Sequence, residues 1–99
     1  MKHAGSAALD RLETLLEVLR GDPRLKEKSR GTFYRAGRAF LHFHEHGNDE
    51  LYADIRLTDD FERLPVTKAA ERAALLKLVA KTLNDGNAAP VRSTPRTRI

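Results

Sequence analysis

No cysteine occurs among the 99 residues, which removes disulfides, thiolate zinc sites and cysteine nucleophiles from consideration. No apolar run is long enough to span a bilayer. The start, Met1-Lys2-His3 and then alanine and glycine, lacks the apolar stretch of a signal peptide, so no membrane is expected as a partner and the cytoplasm is the expected compartment. Internal repeats are absent. The run "EKSRG" at 27–31 has no phosphate-loop glycine spacing, and no ribonucleoprotein motif of Lys/Arg-Gly-aromatic type is present. A chain of this length holds one domain with one modest core and no deep cofactor cleft. No cofactor is implied.

What is there is ordinary for a globular domain: 40% hydrophobic and 32% charged residues. The net charge of +4 and the pI of about 9.8 invite a nucleic-acid reading. The charge is unevenly placed, however. Residues 1–31 carry seven basic and five acidic side chains, and residues 32–66 carry four basic and seven acidic. Residues 67–99 carry seven basic and two acidic. The positive excess therefore belongs to the last third, with Arg92, Arg96 and Arg98 at its end. Asp10, Glu13 and Glu17 each have a basic neighbour about a turn away and read as a solvated helix face.

Leu9, Leu12, Leu15, Leu16 and Leu19 recur at helical spacing and predict a helix over 6–20, with Ser6 as N-cap and Gly21 as stop. Residues 22–31 read as a surface connection. "TFYR" at 32–35, residues 38–45 and residues 51–57 predict strands, joined by Ala36-Gly37 and by the Gly-Asn-Asp turn chemistry at 47–49. "FERLPV" at 61–66 predicts a fourth strand, with Pro65 placing it at an edge. A second helix is expected over 68–83, capped by Thr67, lined by Ala69, Ala73, Leu76, Val79, Ala80 and Leu83, widened by Leu75 and Leu78, and ended by Asn84-Asp85-Gly86. The expected fold is α+β, a two-layer sandwich. It runs helix, antiparallel meander of three or four strands, helix, with both helices on one face. The domain is residues 1–86, and 87–99 is expected to be a flexible basic tail.

Alternation sorts the strand residues. Leu41, Phe43, Leu51, Ala53, Ile55 and Leu57 suit the helix-covered core. The open face is then expected to carry Phe33, Arg35, Phe40, His42, His44, Tyr52, Asp54, Arg56, Phe61 and Arg63. A loop centred on Asn48 sets His44 opposite Tyr52, His42 opposite Asp54 and Phe40 opposite Arg56, and places His46 in the turn. Four aromatics beside histidines and arginines are more than a solvated face requires. They predict contact with a partner, either a second copy in a homodimer or a macromolecule.

Three chemistries compete for that face. His42 and His44 with Asp54 across supply two imidazoles and a carboxylate, a ligand set for zinc or iron. His42 bonded to Asp54 is a general acid–base dyad, with arginines to hold an anion, although an open sheet excludes little water. Aromatics and arginines on an open sheet also suit single-stranded nucleic acid, against which the acidic balance of 32–66 counts. The leading expectation is a binding or interaction module rather than an enzyme. The alternative is a small metal protein or enzyme centred on His42, His44 and Asp54.

The stretch "RGTFYRAGRAFLHFHEHGNDELYADIRL" resembles, in layout, the central hairpins of the MmcQ/YjbR-like proteins. Gly37-Arg38-Ala39-Phe40 stands where those proteins have a Gly-(Lys/Arg)-aromatic strand start. They are similar in fold to the frataxin (CyaY-like) proteins, and DNA binding has been suggested for some. The likeness covers about a third of the chain and stops before residue 58, so it implies the fold rather than DNA binding or iron handling. "AFLHFHE…LYADIRL…DFERLPV" also resembles small bacterial proteins without an assigned activity.

Overall fold

A computed structural model describes residues 1–47 and 49–88. The elements are β1 (Lys2–His3), α1 (Ser6–Arg11), α2 (Glu13–Arg20), β2 (Lys26–Ser29), β3 (Thr32–Arg35), β4 (Arg38–His46), β5 (Glu50–Arg56), β6 (Phe61–Pro65) and α3 (Ala69–Ala88). The α+β expectation holds: the helices and one antiparallel sheet share a single core. The sheet order is β2-β3-β4-β5-β6, with β1 on β4. Among the described residues no helix is long and apolar enough to cross a membrane.

The leucine stripe of the first helical segment is buried throughout, from Leu9 to Leu19. It is not one helix, however. Leu12 sits at φ −98°, ψ 3°, and its N–H donates to Leu9 O, a tighter turn that separates α1 from α2. Gly5, not Ser6, is the N-cap, and its N–H donates to the Glu45 carboxylate at 2.7 Å. In α3 the buried stripe is Leu75, Val79 and Leu83, at i, i+4 and i+8, while Ala69, Ala73 and Ala80 are exposed. Thr67 does not cap α3: its hydroxyl accepts from Leu51 N–H, and Lys68 N–H donates to Glu71 instead. The helix runs through Asn84-Asp85-Gly86 to Ala88, so residues 87 and 88 continue it. The rest of the predicted tail, 89–99, lies outside the described residues.

Residues 26–29, expected as connection, form the edge strand β2. Its Lys-Glu-Lys-Ser sequence has no apolar alternation, and it is held by the β3 ladder and by Arg20 on Glu27. Ala36 and Gly37 both have positive φ (50° and 82°), as a type I′ hairpin turn requires, and Arg35 faces Arg38 as expected.

One irregularity changes which residues face outward. Tyr34 pairs with Ala39, but Phe33 pairs with Leu41, which leaves Phe40 as the extra residue of a β-bulge. The bulge breaks strict alternation. Phe33 and Phe40, expected on the open face, are both in the core, 0% and 3% exposed. Arg35 shares the side of Phe33. Its guanidinium lies 5.9 Å from the Phe40 ring and donates to Leu83 O of α3 at 3.4 Å, so it leaves the open face too. Tyr34 takes the opposite side, with Lys28 Nζ 4.6 Å from its ring centre.

Beyond the bulge the ladder follows the expected register. Leu41 faces Ile55, His42 faces Asp54, His44 faces Tyr52, and on β6 Arg63 faces Asp54 and Phe61 faces Arg56. His46 is not in the turn: it is the last residue of β4, opposite Glu50, and exposed.

Candidate metal centre

β4 is the longest strand, and its two ends have different neighbours. β3 pairs with its first half, and β1 pairs with its second half along the same edge. The register sets His3 directly opposite His44 and Lys2 opposite Glu45, and Ala4 N–H donates to Phe43 O. A third imidazole thus joins the two that alternation places on the open face of β4.

The three rings are packed against one another. His3 stacks on His44 with centroids 4.8 Å apart, His42 meets His44 edge-on at 5.0 Å, and His3 lies 5.7 Å from His42. One nitrogen from each of the three lies within 4.8 Å of the others. His3 is exposed while His42 and His44 are half-buried. Nδ1 of His42 and both ring nitrogens of His44 are buried with no hydrogen-bond partner among the described residues. An unpartnered buried polar nitrogen is costly, and three of them converge here.

Asp54 underlies the cluster. Arg63 grips it with two parallel bonds, Nε to Oδ1 at 2.7 Å and Nη2 to Oδ2 at 2.8 Å. Burial alone would raise this carboxyl. Hydrogen bonds and charge from Arg63, with charge from His44 and His42, bring it below its ordinary value of 3.8. His44 Nε2 lies 3.1 Å from Asp54 Oδ2, close enough for charge contact but not aligned as a hydrogen bond. The sequence expectation of a His42–Asp54 dyad is therefore corrected. The two are cross-strand partners, but Asp54 bonds to Arg63, and its nearest imidazole is the diagonal His44. Asp54 also stands outside the group of convergent donors expected as His42–His44–Asp54; each of its oxygens accepts a hydrogen bond from Arg63. His3 completes the group instead.

Burial holds the His42 imidazole below its ordinary value of 6.5. Asp54 opposes the shift, and the charges of His44, His3 and Arg63 add to it. The ring is therefore neutral, and able to ligate, around pH 7. The ring meets Phe61 edge-on with centroids 4.9 Å apart, and the Arg56 guanidinium lies 4.5 Å from the centre of the Phe61 ring. Arg56 is fixed there by Nε to Ala39 O and Nη1 to Asp59 O. The Tyr52 hydroxyl donates to Glu50, a bond that raises its pKa.

Of the ten residues expected on the open face, the structure thus brings together His42, His44, Tyr52, Asp54, Arg56, Phe61 and Arg63. It withdraws Phe33, Arg35 and Phe40. The residue missed is His3: a two-residue polar strand has no period to recognise, and the only signal was a histidine near the chain start. No family model matches the chain, and no curated protein or solved structure shows significant similarity to it.

Proposed function

We propose that the protein is a metal-binding module that holds a divalent transition metal through His3, His42 and His44. The observation that carries this reading is the convergence of one nitrogen from each imidazole within 4.8 Å. In a tetrahedral site with metal–nitrogen bonds of about 2.0–2.1 Å, ligand nitrogens stand roughly 3.3 Å apart. Small rotations, chiefly of the exposed His3, close that difference. The donor set is all imidazole and has no thiolate, which suits zinc, cobalt or nickel rather than Cu(I) or an iron–sulfur cluster. Three protein ligands leave a fourth position toward the exposed side, where a water or a small ligand would sit.

Asp54 and Arg63 support the site from behind. Carboxylates beside a ligating histidine help to fix its orientation, and Asp54 Oδ2 lies 3.1 Å from His44 Nε2. The nucleic-acid reading loses ground because Phe33 and Phe40 are in the core. Of the aromatics left outside, Tyr34 and Phe61 are already covered by Lys28 and Arg56, and Tyr52 is half-buried with its hydroxyl on Glu50.

Cobalt titration of tag-free protein tests the reading, since tetrahedral Co(II) gives visible bands that report geometry. One equivalent should produce intense tetrahedral bands, and zinc should displace them. His42→Ala and His44→Ala should each abolish the bands with the fold retained. Absence of stoichiometric binding, or bands unchanged in both variants, would remove the proposal.

A further inference from the structure

A cleft lies around the β3–β4 hairpin and the end of β5. It has a volume of about 340 Å³ and is lined by Arg35 and Arg38 of the β3–β4 hairpin, Arg56 at the end of β5, and Thr58 just beyond it. Phe40, the bulge residue, also lines it.

The charge balance of this cleft sets it apart. Arg11, Arg20, Arg24, Arg30 and Arg63 each pair with a carboxylate. Among the described residues Arg35, Arg38, Arg56 and Arg72 pair with none; Arg72 is held by Val66 O and Thr67 O at the start of α3, and the other three line this one cleft. Arg35 donates to Leu83 O, and Arg56 to Ala39 O and Asp59 O, so both are fixed by uncharged carbonyls. Arg38 is exposed, and no hydrogen bond holds its side chain among the described residues. Arg35 and Arg38 are moreover direct cross-strand partners. Like charges directly opposite one another destabilise a sheet, and a third guanidinium, Arg56, lines the same cleft with no carboxylate paired to it.

Such a site has two anchored guanidiniums, one free to swing in, and a hydroxyl at the rim. Guanidinium groups match phosphate oxygens in pairs, and the volume is that of a small-ligand pocket. We infer that this cleft binds a phosphate-bearing small molecule, with Arg35 and Arg56 as fixed donors, Arg38 closing over the phosphate, and Thr58 as an additional donor. The inference is independent of the metal reading, because no histidine lines the cleft.

Calorimetric titration with pyrophosphate and with inorganic phosphate, on metal-free protein, tests it. Saturable one-to-one binding of pyrophosphate is expected, with inorganic phosphate weaker. Arg38→Gln should weaken pyrophosphate binding about tenfold, the effect of one charge-assisted contact. Because the Arg38 side chain makes no hydrogen bond among the described residues, this variant should fold, which a thermal melt checks. Lys81→Gln removes the same charge from the surface of α3, where Lys81 pairs with Asp85, and should leave binding unchanged. The double variant His42→Ala/His44→Ala should bind pyrophosphate as the unaltered protein does, which separates this site from any metal-held anion. Equal effects of Arg38→Gln and Lys81→Gln, or no saturable binding, would overturn the inference. So would tighter binding of a short single-stranded oligonucleotide than of pyrophosphate with the same loss in Arg38→Gln, because the ligand would then be a polymer.

Discussion

Arg63 holds both oxygens of Asp54 from directly across the β5–β6 ladder, at 2.7 and 2.8 Å. Asp54 is the only buried charged side chain among the described residues, and this pairing is what allows it to be there. Replacing Arg63 by alanine leaves the carboxylate without its bidentate partner. Arg63 is about half exposed, so the cost is expected at about 1–2 kcal/mol rather than the larger figure for a fully buried pair. Urea unfolding at pH 7 measures it. The folded carboxyl is held below its ordinary value, so its contribution is present above pH 4 and lost as pH falls through the folded pKa. The difference between the two proteins should therefore shrink in acid.

Asp54 also tests the metal reading without removing a ligand. Asp54→Asn keeps the three imidazoles but withdraws the negative charge 3.1 Å from His44 Nε2. Supporting residues of this kind are worth about tenfold to a hundredfold in metal affinity, and that loss is expected in a competition titration with zinc. His3→Ala should weaken binding further than Asp54→Asn. It should change the stability of the metal-free protein by no more than about 0.5 kcal/mol, because His3 is exposed and in a two-residue strand. A metal-free protein destabilised as much by His3→Ala as by a core substitution would show that β1 serves the fold rather than the ion.

Phe40 separates a core role from a ligand face. Buried at 3% exposure, it should cost about 3–5 kcal/mol when replaced by alanine. Tyr52→Ala, on the half-buried open side with its hydroxyl on Glu50, should cost far less. Chemical denaturation of the two variants side by side checks the assignment. A mild effect of Phe40→Ala would return that ring to the surface.

The register of β4 against β5 was legible because alternation and a short turn leave few solutions once one face must be apolar. Hence His42 opposite Asp54 and His44 opposite Tyr52 followed from the sequence alone. Phe33, Arg35 and Phe40 were misplaced because a bulge adds one residue to β4 without any compositional mark, and the parity carried across it onto β3 inverts. β2 and β1 were missed for a related reason. An edge strand such as Lys-Glu-Lys-Ser, or a two-residue strand such as Lys-His, is specified by what it pairs with, not by its own period. The candidate site straddles both kinds of feature, which is why two of its histidines were visible and the third was not.

Glu27 gives β2 its anchor. Its carboxylate accepts from Arg20 of α2 and, at 2.8 Å, from Gly31 N–H. The Arg20 hydrogen bonds, with help from Gly31, lower its pKa below the ordinary 4.5 against the opposing effect of burial. A carboxyl depressed on folding stabilises above its unfolded pKa and loses that contribution as pH falls through the folded one. Glu27→Gln should cost about 1 kcal/mol at pH 7, with the gap to the unaltered protein closing in strong acid. A gap that stays constant with pH would show that the charge plays no part.

Two glycines with nearly equal backbone angles separate conformational strain from crowding. Gly31 has φ +81° and Gly37 has φ +82°. A Cβ on Gly37 would meet nothing within 4 Å, whereas on Gly31 it would lie 2.6 Å from Leu9 Cδ2 in the buried leucine stripe. Gly37→Ala should therefore cost only the left-handed penalty, about 1–2 kcal/mol. Gly31→Ala carries the same penalty and must also push Leu9 aside in a close-packed core, so it should cost about 1–3 kcal/mol more. Thermal melts of both variants give the comparison directly. Equal losses would mean that Leu9 rotates away without penalty, and that the β2–β3 turn packs against α1 less tightly than the 2.6 Å approach implies.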